Sequence, residues 1–330
     1  MTEVASGTEI TEDTIVDEDV VCTEGPAFTV VSDGVTLDLD GHTVSGNSNV
    51  NTPGPGIVLR GVSGVTVRNG TVRHFEAGIA IQGGSGNVVE GMTLEDNVGS
   101  ADGDFGDGIV INDSRENHVQ GNVLRRNGPF SGISLGPNAQ ANVVRENTVE
   151  DHNMLHLGEP VAGRQTMGIR VEGPAANHNT IQANTVTGSG ADGISVLATC
   201  EDFNSDPPCV GTPPNESNEI VGNTANGNGR SGSGAGIRLF SMADPIPPVD
   251  NTIRDNVADD NASYGIAIDA AALGTGGNRA LGNRSHGNGE FDGSDGALMP
   301  PCGKNVWEGN DFGTVNQPCV ANPGGDGSPA

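Results

Sequence analysis

Arginine recurs in two short apolar segments in the second half of this 330-residue chain, and one of them also carries a carboxylate. Arg170 and Glu172 lie two residues apart in GIRVE, and Arg238 occupies the matching position of GIRLF. A guanidinium can bind a carboxylate through two parallel hydrogen bonds. These three residues are therefore candidates for binding a sugar carboxylate. The simpler interpretation is a surface ion pair between Arg170 and Glu172, which would contribute little to stability.

Groups that could transfer a proton stand near these arginines in the sequence. The segment DHNMLHLGEPVAGRQTM carries His152, His156 and Arg164, and Tyr264 directly precedes a Gly-Ile pair. A His or Tyr base could remove the proton that becomes acidic once a neighbouring sugar carboxylate is neutralised. Zinc is not favoured, because two histidines four residues apart share a metal only on a helix, and this segment has no helical pattern.

Paired carboxyl groups offer a second kind of chemistry. Glycosidases use two carboxyl groups separated by about 5–9.5 Å. Glu172 and Asp192 fall in neighbouring structural repeats and could form such a pair, and Asp107 has the same position before a Gly-Ile pair as Asp192. This repetition also fits a simpler role for both aspartates as corner residues.

Clusters of aspartate suggest calcium as the one cofactor to expect. ADGDFGD supplies Asp102, Asp104 and Asp107, and EFDGSD supplies Asp292 and Asp295. Calcium prefers several hard oxygen ligands, although neither segment matches the EF-hand loop.

An internal repeat positions these residues and indicates the fold. Eight segments begin with Gly-Ile and carry a second apolar residue two positions on: GIVLR at 56, GIAIQ at 78, GIVIN at 108, GISLG at 132, GIRVE at 168, GISVL at 193, GIRLF at 236 and GIAID at 265. The shortest step is close to a bare coil of three strands, and longer steps contain inserted loops. We predict an all-β, single-stranded right-handed parallel β-helix of roughly ten coils with a cap at each end.

Alternation along the first strand of each coil predicts which side chains face outward. Ile79 and Ile81 are expected to face inward, and Ala80 and Gln82 outward. From about residue 168 the outward positions become charged. We predict catalytic roles for Arg170, Glu172, Asp192, Arg238, Tyr264, His152 and His156, and substrate binding by Asn112, Arg164, Phe240 and Asp269.

Asparagine marks a corner between the second and third strands. It recurs in Gly121-Asn122, Glu146-Asn147, Ala183-Asn184, Gly222-Asn223, Asp255-Asn256 and Gly282-Asn283. Asparagine tolerates left-handed backbone geometry, and stacked asparagines can form a hydrogen-bonded ladder. We expect these residues to be structural.

One β-helix domain is predicted over residues 1–320. Residues 1–34 would form an N-terminal cap and first turns, 300–320 a C-terminal cap, and 321–330 a flexible tail. Local disulfides are expected between Cys200 and Cys209 and between Cys302 and Cys319. Cys22 is left over and is expected to be a small buried hydrophobic residue.

Charge and hydropathy restrict the partners. The formal net charge is −28, so nucleic-acid phosphates would repel the chain. No run approaches the roughly 18 apolar residues of a membrane span. The expected disulfides indicate a secreted or cell-surface protein, although the sequence begins without the pattern of a signal peptide.

Three parts of the sequence resemble a known family. VTLDLDGHTVSG at 35–46, the Gly-Ile coils, and the closing NRSHGNGEFDGSDG and CGKNVWEGNDFGTVNQPC are similar to bacterial and archaeal proteins with right-handed parallel β-helix repeats, the pectin-lyase-like superfamily and its NosD-like branch. The resemblance covers most of the chain. It implies a groove along the first strand of each coil that holds a polysaccharide or oligosaccharide.

This resemblance does not select one reaction, because a fold hosts many functions. The leading expectation is a secreted lyase or C5-epimerase acting on a uronate-containing polysaccharide. The alternatives are a glycoside hydrolase with paired carboxylates and a non-enzymatic, NosD-like surface, binding or scaffold protein. A monomer or a homotrimer is the expected assembly.

Overall fold

The computed structural model describes residues 6–49, 51–99, 106–152, 167–199, 211–241, 246–269, 276–297 and 300–321. Within these ranges all regular structure is β, and no helix there is long and apolar enough to cross a membrane. The strands, in chain order, are β1 (Thr8–Ile10), β2 (Thr14–Ile15), β3 (Val20–Val21), β4 (Phe28–Val30), β5 (Thr36–Asp38), β6 (Thr43–Ser45), β7 (Thr52–Arg60), β8 (Thr66–Arg73), β9 (Phe75–Gln82), β10 (Val88–Glu95), β11 (Asp107–Asn112), β12 (His118–Gln120), β13 (Val123–Arg125), β14 (Ser131–Leu135), β15 (Val143–Arg145), β16 (Thr148–Glu150), β17 (Met167–Glu172), β18 (Thr180–Gln182), β19 (Thr185–Thr187), β20 (Ile194–Ala198), β21 (Glu219–Val221), β22 (Thr224–Asn226), β23 (Ile237–Ser241), β24 (Thr252–Arg254), β25 (Tyr264–Ile268), β26 (Arg279–Leu281), β27 (Arg284–Ser285), β28 (Phe291–Asp295), β29 (Val306–Glu308) and β30 (Asp311–Phe312).

The first strands of successive coils form one parallel sheet, called here the first sheet. Within the described ranges it has eleven strands in the order β1-β4-β7-β9-β11-β14-β17-β20-β23-β25-β28. The predicted Gly-Ile register is confirmed, because the isoleucines pair with one another from Ile57 on β7 to Ile266 on β25. Both of these side chains are fully buried. The predicted all-β solenoid is therefore confirmed.

The second and third strands of each coil form two further parallel sheets. β10 shows the relation clearly, because Val88 at its start pairs with β12 and Thr93 near its end pairs with β13. β8 and β10 bend through the corner as single strands, whereas later coils have two short strands there. The three sheets enclose one continuous core of Ile, Val and Leu side chains.

Glycine precedes isoleucine in the first sheet because neighbouring coils approach each other closely there. A Cβ on Gly108 would lie 2.6 Å from the carbonyl oxygen of Gly132 and 2.8 Å from a methyl carbon of Leu124. A Cβ on Gly193 would lie 2.7 Å from the carbonyl oxygen of Gly236. Such contacts would force the backbone to shift, so the Gly-Ile pair reflects a packing requirement.

The predicted asparagine ladder is present at the corner between the second and third sheets. Asn122 Nδ2 donates to Asn147 Oδ1 at 3.0 Å, and the stack continues through Asn184, Asn223, Asn256, Asn283 and Asn310. Asn147 Oδ1 also accepts the backbone N–H of Asn122. The ladder thus pairs side-chain and backbone groups that would otherwise be buried without partners.

Two further ladders, not predicted from the sequence, follow the other corners. The first comprises Asn87, Asn117, Asn142, Asn179, Asn218, Asn251, Asn278 and Asn305. The second links Asn97 to Asn127 and, farther along the solenoid, Asn228 to Asn261 and Asn288. A five-residue spacing, as in Asn117, Asn122 and Asn127, marks all three ladders in the sequence.

The first coil has an acidic edge. Within the described residues, each of β1, β2 and β3 has a strand neighbour on one side alone. Asp13 and Asp19 each accept a backbone N–H of the next coil at 2.8 Å. Ile15 and Val21 are 55% and 75% exposed on this coil, so apolar side chains and carboxylates share the same edge.

A disulfide closes the other end. Cys302 and Cys319 are bonded, which confirms that prediction, and Trp307 and Val320 near it pack into the core. Cys22 is buried with a free thiol, as predicted. The expected pairing of Cys200 with Cys209 lies outside the described residues.

Candidate functional site

The outward row of the first sheet changes from apolar to polar along the solenoid. Val58, Ala80 and Val110 form a small apolar cluster on the early coils. Later in the same row, Arg170 on β17 pairs in register with Ser195, which in turn pairs with Arg238 on β23. The charged outward positions predicted from the sequence are therefore on one face.

The Arg170 site consists of Asp107, Phe130, Ser134, Arg170 and Glu172. Arg170 Nη1 lies 2.6 Å from Glu172 Oε2, and Nη2 lies 3.9 Å from Asp107 Oδ1. Nη2 also donates to Ser134 Oγ at 3.2 Å. The guanidinium carbon is 5.4 Å from the centre of the Phe130 ring. One cation thus bridges two carboxyl groups beside an aromatic ring.

Asp107 is the most perturbed carboxyl group of this site. Its side chain is almost fully buried, and its Oδ1 has no hydrogen-bond partner within the described part of the chain. Burial raises the pKa of Asp107 to about 6, although the charge of Arg170 opposes that rise. The group can therefore carry a proton under mildly acidic conditions.

The Arg238 site consists of Asp192, Ser195, Arg238, Phe240 and Asp269. Arg238 Nε donates to Asp269 Oδ2 at 3.0 Å, and Nη1 lies 4.0 Å from Asp192 Oδ2. The guanidinium carbon is 4.5 Å from the centre of the Phe240 ring. The side chains of Arg238 and Asp269 are 33% and 35% exposed, so this site is more open than the Arg170 site.

Asp192 differs from Asp107 in its hydrogen bonds. Its Oδ2 accepts from Ser195 Oγ at 3.1 Å, and its Oδ1 accepts from the backbone N–H of Ala235 at 2.7 Å. Burial raises the pKa of Asp192 against the opposing charge of Arg238. Because both oxygens have partners, Asp192 also has a structural role in holding β20 to the following coil.

Tyr264 borders the Arg238 site on the next strand of the sheet, β25. A hydrogen bond with Glu290 raises the pKa of its phenol, and burial adds to that effect. The charges of Asp269 and Arg238 act on the same hydroxyl group with opposite signs. Tyr264 is therefore held in its protonated form close to the exposed arginine.

The structure divides the predicted residues between two sites. Arg170 and Arg238 are two strand steps apart, or about 10 Å at about 4.8 Å per step. Glu172 contacts Arg170, whereas Asp192 contacts Arg238. Two other carboxyl pairs are each joined by one arginine, Asp107 with Glu172 and Asp192 with Asp269, and the Glu172–Asp192 pair stays a prediction.

His152 lies away from both arginine sites, within an asparagine ladder. Its ring Nδ1 is 3.1 Å from the carbonyl oxygen of Asn127, and its Nε2 is 3.0 Å from that of Leu124. The side chain is fully buried, and burial lowers its pKa to about 4. It follows Asn147 by five residues, which is the ladder spacing, so this placement does not support a role in proton transfer.

Three other predicted site residues, Asn112, His156 and Arg164, are not part of either arginine site as the structure describes it. Asn112 ends β11, partly buried and in register with Gln82, and contributes none of the contacts that define the two arginine sites. His156 and Arg164 lie outside the described residues.

Among the residues that the structure describes, no group of three or more His, Cys, Asp and Glu side chains could hold a metal, and calcium binding stays a prediction. Asp295 Oδ2 accepts the indole N–H of Trp307 at 2.9 Å, and Asp292 Oδ2 accepts the backbone N–H of Thr314 at 2.8 Å. These two carboxylates therefore join the last coil to the C-terminal segment. Asp102 and Asp104 lie outside the described ranges.

Two family models match the sequence. The right-handed β-helix region matches residues 27–173. A family described as a protein of unknown function, DUF1565, matches residues 159–297. No curated protein matches the chain.

Solved structures with the same fold include three carbohydrate enzymes. The periplasmic alginate epimerase AlgG is 13% identical, with a TM-score of 0.62 over 86% of this chain and 66% of that one. The pectate lyase Pel9A is 14% identical, with a TM-score of 0.55 over 80% and 62%. The catalytic domain of a GH87 α-1,3-glucanase in complex with tetrasaccharides is 16% identical, with a TM-score of 0.61 over 92% and 63%. This chain thus spans about two thirds of their length or less, and the likeness shows a shared fold.

Together with the register of the three sheets, these matches identify the class. The chain is a right-handed parallel β-helix, as the sequence predicted.

Proposed function

We propose that this protein is a secreted or surface carbohydrate-active β-helix that hydrolyses a polysaccharide at the Arg170 site. The observation that carries the proposal is the pair formed by Asp107 and Glu172. Their oxygens are within about 9 Å of each other, because both approach terminal nitrogens of one planar guanidinium. Separations up to this limit include the roughly 5–9 Å that glycosidases use.

The two carboxyl groups have the different environments that acid–base catalysis needs. Asp107 is buried, its Oδ1 accepts no hydrogen bond from the described residues, and it can be protonated near pH 6, so it would donate a proton to the leaving oxygen. Glu172 is partly exposed and ion-paired, so it would act as the base or nucleophile. Arg170 would hold both groups in place.

The surroundings favour a neutral sugar chain over a polyanion. Arg170 already contacts Glu172, Arg238 already contacts Asp269, and the chain has a net charge of −28. A uronate polymer would meet these carboxylates as well as the arginines. The similar solved structures include a glucanase with bound tetrasaccharides, which supports a polysaccharide as the substrate class.

The test is release of reducing ends from a panel of neutral polysaccharides by the purified protein and two variants. We expect Asp107→Asn and Glu172→Gln each to lower turnover by at least about 100-fold. Glu95→Gln is a matched control, since Glu95 is 12% exposed and lies 2.7 Å from Arg125 on another face. Equal turnover in all three variants would contradict the proposal.

A second candidate is a lyase or C5-epimerase reaction at the Arg238 site. It is favoured by one observation, the partly exposed Arg238 on the strand that pairs with that of Tyr264. Uronate polymers should then yield unsaturated, ultraviolet-absorbing ends or a changed C5 configuration in NMR spectra. Tyr264→Phe should abolish that product and leave hydrolysis intact. The assays are run with and without calcium, because calcium dependence is also a prediction.

A non-enzymatic surface or scaffold role makes the opposite prediction. Neither reducing ends nor unsaturated products would then form from any glycan, while the folded protein could still bind one.

A further inference from the structure

The outward face of the third sheet carries charges whose sign alternates from coil to coil. In register, one outward row of this sheet consists of Arg73, Glu95, Arg125 and Glu150. The next residue in each coil stands at the corner that ends the sheet, and these residues are His74, Asp96, Arg126 and Asp151. One coil therefore presents two carboxylates, and the following coil presents two arginines.

Ion pairs within the chain account for the centre of the outward row but leave its two ends poorly paired. Glu95 Oε2 lies 2.7 Å from Arg125 Nη2. Arg73 Nη1 is 4.0 Å from Glu95 Oε1, and Glu150 makes no ion pair with any residue that the structure describes. The side chain of Arg73 is 43% exposed, so its guanidinium can reach a carboxylate of another molecule.

We propose that this face binds a second copy of the chain, as a weak two-fold dimer whose solenoids lie antiparallel. The axis runs along the strand direction, between the two facing sheets and midway between the coils of Glu95 and Arg125. This operation reverses the order of the coils, so Glu95 faces the partner's Arg125 and Arg73 faces the partner's Glu150. Both ends of the row thereby meet an opposite charge.

The other two rows of this face fit the same axis. At the corner, Asp96 faces the partner's Arg126, and their side chains are 31% and 36% exposed. The second outward row of the sheet has short side chains of nearly equal size, namely Thr71, Thr93, Val123 and Thr148. Side chains of this length allow two sheets to pack about 10 Å apart.

Charge selects this face over the neighbouring one. The net charge of −28 makes two copies repel each other in most orientations. The corresponding outward row of the second sheet consists of Arg68, Glu90, Gln120 and Arg145. An axis at the same height would bring Arg68 against the partner's Arg145, so two cations would meet. The third sheet is self-complementary where the second sheet is not.

The contact is small, and the dimer is therefore expected to be weak. Four coils span about 15–20 Å at about 4.8 Å per coil. Interfaces at the low end of the size range are transient, and we expect a dissociation constant of about 10–100 μM.

Reversal of one charge at a time, followed by mixing of the variants, tests this axis. Asp96 and Arg126 have nearly the same backbone conformation, with φ of 54° and 53°, so Asp96→Arg and Arg126→Asp each introduce a residue type already found at such a corner. The matched controls are Asp255→Arg, where φ is 56°, and Arg254→Asp, where the side chain is 43% exposed. Sedimentation of each protein over a range of concentrations measures association, and circular dichroism shows whether each variant is folded.

Wild type and both controls should dimerise alike. Each of Asp96→Arg and Arg126→Asp alone should dimerise at least about tenfold more weakly, because like charges then meet twice across the axis. An equimolar mixture of these two variants should form a heterodimer with nearly the affinity of wild type, since every reversed charge then faces an opposite one. Mixing cannot repair the Asp96–Arg126 ion pair within either chain, so recovery isolates the contact between molecules.

A wild type that stays monomeric at all concentrations would overturn the proposal, and this result decides even if a variant fails to fold. A trimer, a dimer that neither reversal weakens, or a mixture that does not recover would overturn it as well.

Discussion

Asp107 and His152 are both fully buried, and burial shifts their pKa values in opposite directions. The pKa of Asp107 rises to about 6, and that of His152 falls to about 4. The cause is the same, because burial penalises the charged form of either group. Both side chains are therefore neutral between these two values, and they affect stability with opposite signs as the pH changes.

Asp107 should limit activity on the alkaline side. A general acid must be protonated, so turnover by wild type should decline as the pH rises through about 6. The folded state binds more protons at this site than the unfolded state between about pH 4 and 6, so its stabilising contribution is present at low pH and lost as the pH rises through about 6. The difference in melting temperature between wild type and Asp107→Asn should follow this curve. A difference independent of pH would contradict the assignment.

His152 should lower stability on the acid side. Its folded pKa lies below its unfolded value of 6.5, so its contribution is present above pH 6.5 and is lost as the pH falls toward about 4. His152→Asn restores the residue found at the neighbouring ladder positions and should remove this acid sensitivity. Urea unfolding at pH 7 and pH 4.5 measures the effect. His118→Asn, at an exposed position on β12, is the control that should leave the sensitivity unchanged.

At the scale of the element, the strands of the second and third sheets are mostly only three residues long and make few backbone hydrogen bonds. The asparagine ladders add side-chain hydrogen bonds between coils at the corners beside them. Asn223 Nδ2 donates to the Ile181 carbonyl at 2.8 Å and to Asn256 Oδ1 at 3.0 Å, and its Oδ1 accepts from Asn184. Asn223→Ala would leave these buried groups without partners and should lower the free energy of unfolding by about 3 kcal/mol or more. Denaturant titration measures it. Asn138→Ala, at an exposed turn, should cost much less.

The register of the first sheet was predictable because the Gly-Ile pair has a strict steric cause, as Gly108 shows against the Gly132 carbonyl. The five-residue spacing of asparagines was as clear in the sequence as the Gly-Ile pair. It would have predicted that His152, five residues after Asn147, lies in a ladder. The pairing of Asp107 with Glu172 through Arg170 was not predictable. Asp107 comes from a different coil than Arg170 and Glu172, the coils are separated by inserts of unequal length, and sequence distance does not reveal that these side chains meet.

At the scale of the whole molecule, the first and last described coils differ in the contacts at their outer edges. The Cys302–Cys319 disulfide, Trp307 and Val320 cover the last coil with covalent and apolar contacts. The first coil relies on charge, since Asp13 and Asp19 cap backbone N–H groups beside the exposed Ile15 and Val21. A sheet edge with exposed apolar residues is a template for pairing with another chain, and charge prevents that pairing.

Acid should therefore promote association between molecules through the edge of the first coil. A backbone hydrogen bond from Thr43 holds the pKa of Asp19 below its usual value, so this carboxylate stays charged to lower pH than an unbonded aspartate would. Light scattering should show monodisperse particles at neutral pH and growth by end-to-end association in acid. Val21→Lys should suppress this growth and Asp19→Asn should shift its onset upward, whereas growth unaffected by either change would exclude this edge. Because each coil of a solenoid pairs with the next through parallel strands, the outer edge of the first coil can nucleate fibre growth. A few negative charges on that edge prevent it at neutral pH.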